Sequence, residues 1–204
     1  MNSSELYRDI TDFARTTPGW LQTTAEVWTE LGLLLFGVLF VSVWWKGRTA
    51  APRAAALAVL APLVTALAYV VSELTKSAIE QERPCRAVAG AVLPLVDCPE
   101  YGDWSFPSNH SAIAGAAAVA LAVAAGRGMA LLTLPMAVLM AFSRVFVGVH
   151  YPHDVATGLL LGGSVAGLLM LALAGPAGRL IITVRGSGTT AAVWFTGPGP
   201  ARRH

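Results

Sequence analysis

Apolar residues gather in long runs near 28–45, 54–72, 109–125, 129–149 and 155–174, and polar residues are confined to the stretches between them. Each run is close to the ~20 residues that cross ~30 Å of hydrocarbon as a helix. The pattern predicts an all-α integral membrane bundle of about five transmembrane helices. The third run is rich in alanine, and its small side chains suit the middle of a bundle. Ahead of the first run, residues 1–24 predict a short amphipathic helix at the membrane interface, with Leu6, Ile10 and Phe13 on one side, before Pro18-Gly19-Trp20 turns the chain inward; a frayed terminus is the alternative. The first run begins too late, and without a preceding basic stretch, to read as a cleaved signal peptide.

No long linker or internal repeat divides the chain. The expected organisation is an interfacial segment at 1–24, one membrane domain at 25–174, and a poorly ordered tail at 175–204 that carries Gly186-Ser-Gly and Gly197-Pro-Gly-Pro. The 204 residues are 55% hydrophobic and only 13% charged, with a net charge of +2. That balance suits a lipid bilayer as partner and gives no basic footprint for nucleic acid. In a five-crossing arrangement Lys46, Arg48, Arg53, Arg127, Arg179, Arg185, Arg202 and Arg203 share one side, which the positive-inside rule assigns to the cytoplasm. The expectation is a multi-pass plasma-membrane protein with its amino terminus outside and its carboxyl terminus in the cytoplasm. Cys85 and Cys98 then lie together in an outer loop, where an oxidising compartment permits a disulfide; unlinked thiols are the alternative.

Charge inside or beside hydrocarbon costs about 1–3 kcal/mol per group, so ionisable clusters at the ends of apolar runs ask for a function. Three such clusters fall on the same outer side. Lys76 is one of two lysines against twelve arginines. It precedes Arg83 by seven residues, two helical turns, so that both cations project from one helix face toward an anion, with Pro84 as the helix stop. Alternatively, Glu80 neutralises the pair. Pro107 and Ser108 lead into a helix whose first turn carries Asn109 and His110, and free N–H groups there make a seat for phosphate; a plain cap is the alternative for Ser108. In the third cluster, Ser143-Arg144 ends one crossing, His150 sits in the connection, and Asp154 follows four residues later, placed to bond one imidazole nitrogen and activate the other. His150, His153 and Asp154 as metal ligands form a rival reading, but no further His or Cys completes the set. Together the clusters carry the equipment for phosphoryl transfer without a metal or other cofactor.

These residues resemble the three signature motifs of the type 2 phosphatidic acid phosphatase superfamily, which includes bacterial undecaprenyl-diphosphate phosphatases, glucose-6-phosphatase and vanadium haloperoxidases. The first motif stands here as Lys76-Ser-Ala-Ile-Glu-Gln-Glu-Arg83-Pro84, the second as Pro107-Ser108-Asn109-His110, and the third as Ser143-Arg144 through His150 to Asp154. The resemblance covers about residues 54–174. It implies that His150 becomes a transient phosphohistidine oriented by Asp154, that His110 serves as acid and then base, and that Lys76, Arg83, Ser108, Asn109 and Arg144 hold phosphate. Asn109 departs from the usual glycine and offers either its backbone N–H or its amide as donor. Ser143 is read as packing or bonding at the helix end, and Gly158 with Gly162 and Gly163 with Gly167 as close-packing pairs. The implied reaction is hydrolysis of a lipid phosphate or diphosphate at the outer leaflet, with undecaprenyl diphosphate first and phosphatidylglycerophosphate or phosphatidic acid as alternatives. A phosphotransferase, or a lipid or anion transporter that uses the basic site, are the other readings.

Overall fold

A computed structural model describes residues 3–198. The chain runs through α1 (Ser3–Thr16), α2 (Gly19–Gly47), α3 (Pro52–Ile79), the single turn α4 (Pro84–Ala87), α5 (Asn109–Ala125), α6 (Arg127–Phe146), α7 (Pro152–Gly186) and α8 (Thr190–Thr196), with no strand among the described residues. Four of these, α2, α3, α6 and α7, are long and apolar enough to cross a membrane, and α5 is a shorter apolar helix of 17 residues. All five predicted runs are therefore helical over most of their length, the fourth leaving its helix at Phe146 instead of continuing to residue 149.

The arrangement of side chains inverts that of a water-soluble protein. Leu34, Val38 and Val41 of α2, Leu63 and Leu67 of α3, Leu131 and Val138 of α6, and Leu160, Leu168 and Leu171 of α7 all face outward. Helices apolar on every side suit a hydrocarbon surround. The middle of the bundle is built of small residues. α5 packs against α2, α3, α6 and α7, and its Ala112, Ala114, Ala116, Ala117, Ala118 and Ala120 are fully buried. Without a large apolar driving force between helices in lipid, close backbone approach and dense packing hold such a bundle together.

α5 and α7 approach most closely at glycines. A Cβ on Gly158 would stand 2.5 Å from the Ser108 carbonyl, one on Gly115 would stand 2.6 Å from the Leu159 carbonyl, and one on Gly162 would collide with the Ala112 carbonyl. The neighbour is backbone in each case and cannot swing aside. Gly162→Ala is accordingly expected to destabilise the bundle by about 3 kcal/mol or more. Thermal unfolding in detergent tests this; an unchanged melting temperature would contradict the packing.

Helix ends differ from the expected boundaries. α2 begins at Gly19 rather than near residue 25, because Gln22, Thr23, Thr24 and Glu26 interrupt the apolar run without interrupting the helix. α1 is present, but its buried face is Tyr7, Thr11 and Ala14, while Phe13 is exposed. The Tyr7 hydroxyl donates to the Gly148 carbonyl at 2.9 Å, and Arg8 and Arg15 donate to the carbonyls of Ala89 and Leu93. α1 is thus a strap across the loops that join the bundle.

The segment from Gly175 is also more ordered than expected. α7 continues through Pro176 to Gly186, and α8 follows. Buried Arg185 donates to the carbonyls of Thr196, Arg48 and Ala50 at 2.7, 2.8 and 2.9 Å, while Trp44 packs against Trp194 and Phe195. Guanidinium bonding to orphan carbonyls closes the helix ends. Arg202, Arg203 and the end of Gly197-Pro-Gly-Pro lie outside the described residues.

At the other end, the carboxyl ends of α3 and α6 and the amino ends of α5 and α7 converge under the 88–108 loop. Cys85 and Cys98 are joined by a disulfide with Cα atoms 6.1 Å apart, which ties α4 to that loop.

Candidate active site

Lys76 and Arg83 do not share a helix. α3 ends at Ile79, where Glu80 takes a left-handed conformation with φ 52°, and the chain then runs extended into Arg83. Pro84 starts α4 instead of stopping α3, as suits its fixed φ at a first helical position. The two cations meet through a residue that their spacing did not point to. Asp103 Oδ1 lies 2.8 Å from Arg83 Nη2 and 3.3 Å from Lys76 Nζ, and the Asp103 carbonyl accepts from Arg83 Nε at 2.7 Å. Asp103, not Glu80, neutralises the pair. Partial burial opposes ionisation of its carboxyl, but hydrogen bonding and charge from Arg83, and then Lys76, hold it below the usual carboxylate range.

His150 is presented by a tight connection. Val147 N–H bonds the Ser143 carbonyl, Val149 N–H bonds the Arg144 carbonyl, and Gly148 between them has φ 89° with Pro94 packed against its Cα. Only glycine meets both demands without strain. The imidazole is buried, with Nδ1 3.3 Å from Asp154 Oδ2 and Nε2 3.2 Å from Arg83 Nη1. A guanidinium only donates, so Nε2 must accept, and the ring proton belongs on Nδ1 facing the carboxylate. The lone pair is therefore on Nε2, beside the cations. Burial pushes the His150 pKa down to about 4, with the hydrogen bond to Asp154 opposing and the charges of Arg83 and Arg144 assisting.

Asp154, itself fully buried, gathers donors. Its Oδ2 accepts from Tyr151 N–H at 2.9 Å and from the Ser105 hydroxyl, and its Oδ1 lies 3.1 Å from His153 Nε2. His153 stacks on Tyr151 with ring centroids 5.2 Å apart and meets the Gln81 side chain. The two histidines thus sit on opposite oxygens of one carboxylate. Among the described residues no three His, Cys, Asp or Glu side chains converge as a metal-ligand set.

Ser108 occupies the cap position of α5 but makes no side-chain cap bond; its N–H is held by the Asp154 carbonyl at 3.1 Å, and its buried hydroxyl has no partner among the described residues. Asn109 turns its amide to α3, accepting from the Ser72 hydroxyl at 2.7 Å and donating to Glu73 at 2.5 Å. Its amide is committed, which leaves the backbone N–H as its donor toward the site. His110 is half-buried and lies within electrostatic reach of Arg144, His150, Lys76 and Arg83. Arg144 is held by Thr29 of α2 through a 2.8 Å bond from Nη1, and its Nε has no partner among the described residues. Ser143 bonds the Met140 carbonyl at the end of α6.

Cations, a helix amino terminus and an imidazole lone pair face one place, an arrangement able to bind a phosphate and attack it. Asp103, Ser105, Gln81 and Thr29 join it without any motif to announce them. Asp103 and Ser105 sit in a polar loop, and Thr29 sits in an apolar run where a hydroxyl ordinarily bonds its own helix.

Residues 56–175 match the model of the PAP2 superfamily. The chain is 32% identical to the decaprenylphosphoryl-5-phosphoribose phosphatase of Mycobacterium tuberculosis over 152 residues, 74% of this chain and 80% of that one. It is 40% identical to the undecaprenyl-diphosphatase of Sulfolobus acidocaldarius over 96 residues, which span 47% of this chain but only 45% of that relative. The crystal structure of Aquifex aeolicus LpxE superimposes with a TM-score of 0.63 at 26% identity, covering 82% of this chain and 93% of LpxE. The matched stretch begins in α3, ends in α7 and takes in every helix end that bears the convergent residues, and on it the chain belongs to the PAP2 superfamily.

Proposed function

We propose that the protein hydrolyses a lipid-linked phosphate through a covalent phosphohistidine on His150. The observation that carries this reading is the placement of the His150 ring between Asp154 at Nδ1 and Arg83 at Nε2, which puts the proton on Nδ1 and leaves the Nε2 lone pair to a guanidinium that an arriving phosphate can draw away. Nε2 attacks phosphorus, the P–O bond to the lipid alcohol breaks, and His110 protonates the departing oxygen. Lys76, Arg83, Arg144, the Ser108 hydroxyl and the first N–H groups of α5 take the charge of the phosphoryl oxygens, as donors fixed in place before the reaction do. Water then gives a proton to His110 and attacks phosphorus; the P–N bond breaks and the lone pair returns to Nε2. The products are the lipid alcohol, or lipid phosphate from a diphosphate, and inorganic phosphate. A transporter would use the cations but would need no imidazole held by a carboxylate.

The names of the relatives favour a polyprenyl carrier as the lipid: one acts on undecaprenyl diphosphate and another on a decaprenylphosphoryl phosphoribose. The basic residues at the opposite end of the bundle favour a plasma-membrane orientation with the site outside.

Phosphate release by purified protein in detergent, in strong chelator, tests the reaction. Release is expected to persist; a loss restored by a divalent cation would overturn the mechanism. Only neutral His150 can attack, and its pKa lies below the ordinary value of ~6.5. Activity should therefore survive as pH falls through 6.5 and fail only near 4, in kcat/KM corrected for substrate ionisation. An acid limb at or above 6.5 would exclude His150 as the buried nucleophile.

A further inference from the structure

The side chain of Asn109 reaches across from α5 to α3. Its Oδ1 accepts from the hydroxyl of Ser72 at 2.7 Å, and its Nδ2 donates to Glu73 Oε2 at 2.5 Å. A carboxylate only accepts, so the amide nitrogen belongs on Glu73, and buried Ser72 on the oxygen fixes the amide in that sense. Glu73 is the one carboxylate of α3. It stands three residues before Lys76, a spacing that puts two side chains on one helix face and lets a carboxylate and an ammonium pair. Exclusion of water beside buried Lys76 would strengthen such a pair. Yet among the described residues no ion pair joins the two: Lys76 Nζ faces Asp103 at 3.3 Å, and Glu73 faces Asn109.

We propose that Asn109 is a positioning residue that keeps Lys76 available to the phosphate by holding Glu73 away from it. The proposal rests on the phosphatase reading of the site. The two carboxylates near Lys76 differ in how they can leave. Asp103 belongs to a loop and its side chain is 49% exposed, so an arriving phosphate can send it into water. Glu73 is carried by the same helix as Lys76, and only its rotamer decides whether it meets the ammonium. Released, it would pair with Lys76 and set a negative charge against the phosphoryl oxygens. The Asn109 amide supplies the donor that Glu73 would otherwise seek there. Glycine at 109 would keep the backbone N–H of the anion seat but give Glu73 no partner, which accounts for the departure from the usual residue at this position.

The test is the affinity of the purified protein in detergent for inorganic vanadate, measured by calorimetry. Asn109→Gly is expected to weaken binding about tenfold, the worth of one hydrogen bond from a charged group, and Asn109→Ala should do the same without the added freedom of glycine. Adding Glu73→Gln to either variant should return the affinity to within about twofold of the unmutated protein, a recovery that misfolding cannot imitate. Glu73→Gln alone should change it by no more than about twofold. In a Lys76→Gln background, Asn109→Gly should cost nothing further, because the cation that Glu73 competes for is gone. No binding to the unmutated protein, unchanged affinity in both Asn109 variants, a loss that Glu73→Gln does not reverse, or the same loss in the absence of Lys76 would each overturn the proposal. Turnover of p-nitrophenyl phosphate by the unmutated protein separates the two readings. Turnover with vanadate affinity indifferent to Asn109 sinks the positioning role alone, whereas no turnover sinks the phosphatase reading and leaves the vanadate affinities to decide the role of Asn109.

Discussion

His150→Ala is expected to lower kcat by about 10⁴-fold or more, the scale on which removal of a covalent nucleophile acts. The fold should survive. Asp154 keeps the Tyr151 N–H and the Ser105 hydroxyl, and Arg83 keeps Asp103 and the Val149 carbonyl. The loss of stability is expected to stay within about 1–3 kcal/mol. Phosphate release, the melting temperature and trapping of an acid-labile phosphoenzyme read the three consequences separately. Residual turnover above about 1%, set against that expected loss, would assign the attack to another group.

Asp154→Asn should cost nearly as much, about 10³- to 10⁴-fold in kcat, for a different reason. Oδ2 accepts from Tyr151 N–H and Ser105 while facing His150 Nδ1. Asparagine has one oxygen and one amide nitrogen in place of two oxygens. If the oxygen stays on Tyr151 it also faces His150, the amide nitrogen falls against His153, and Nδ1–H is left with a neutral acceptor that gives little support to the positive charge the ring gains on attack. If the amide turns over, its nitrogen meets Nδ1 and favours the tautomer with the proton on Nε2, so that the lone pair is on the wrong nitrogen. Lys76, Arg83 and Arg144 are untouched, so binding of inorganic vanadate or phosphate should change little. A parallel collapse of kcat and anion affinity would mean that Asp154 shapes the anion seat itself, and the positioning role would be wrong.

The candidate site residues were legible because their chemistry conflicts with their surroundings. His150, Arg144 and Lys76 at the edges of hydrocarbon-length runs have no bland reading as a set, and the runs themselves are helices. Hydropathy registers lipid contact, however, and not helix. It therefore missed the polar first turns of α2 and the amphipathic end of α7, where Arg185 finds its carbonyls. Asp103 stayed hidden for another reason: it lies twenty positions beyond Arg83, across α4 and a long irregular loop, and neither periodicity nor spacing reports what a loop folds back upon. The seven-residue interval from Lys76 to Arg83 misled because it was read as helix throughout, although Glu80 breaks the helix within it.

That break has a consequence for how a ligand enters. By ending α3 three residues after Lys76, it lets Arg83 swing onto a carboxylate that Lys76 also touches. On the proposed mechanism an arriving phosphate meets cations that already have a counterion, so binding is an exchange of one anion for another. A monoester dianion brings more charge than the carboxylate it displaces. A phosphodiester brings only one negative charge and gains little from the trade. Most phospholipids around the protein are diesters, and Asp103 would keep them from resting in the site while leaving it open to terminal phosphates.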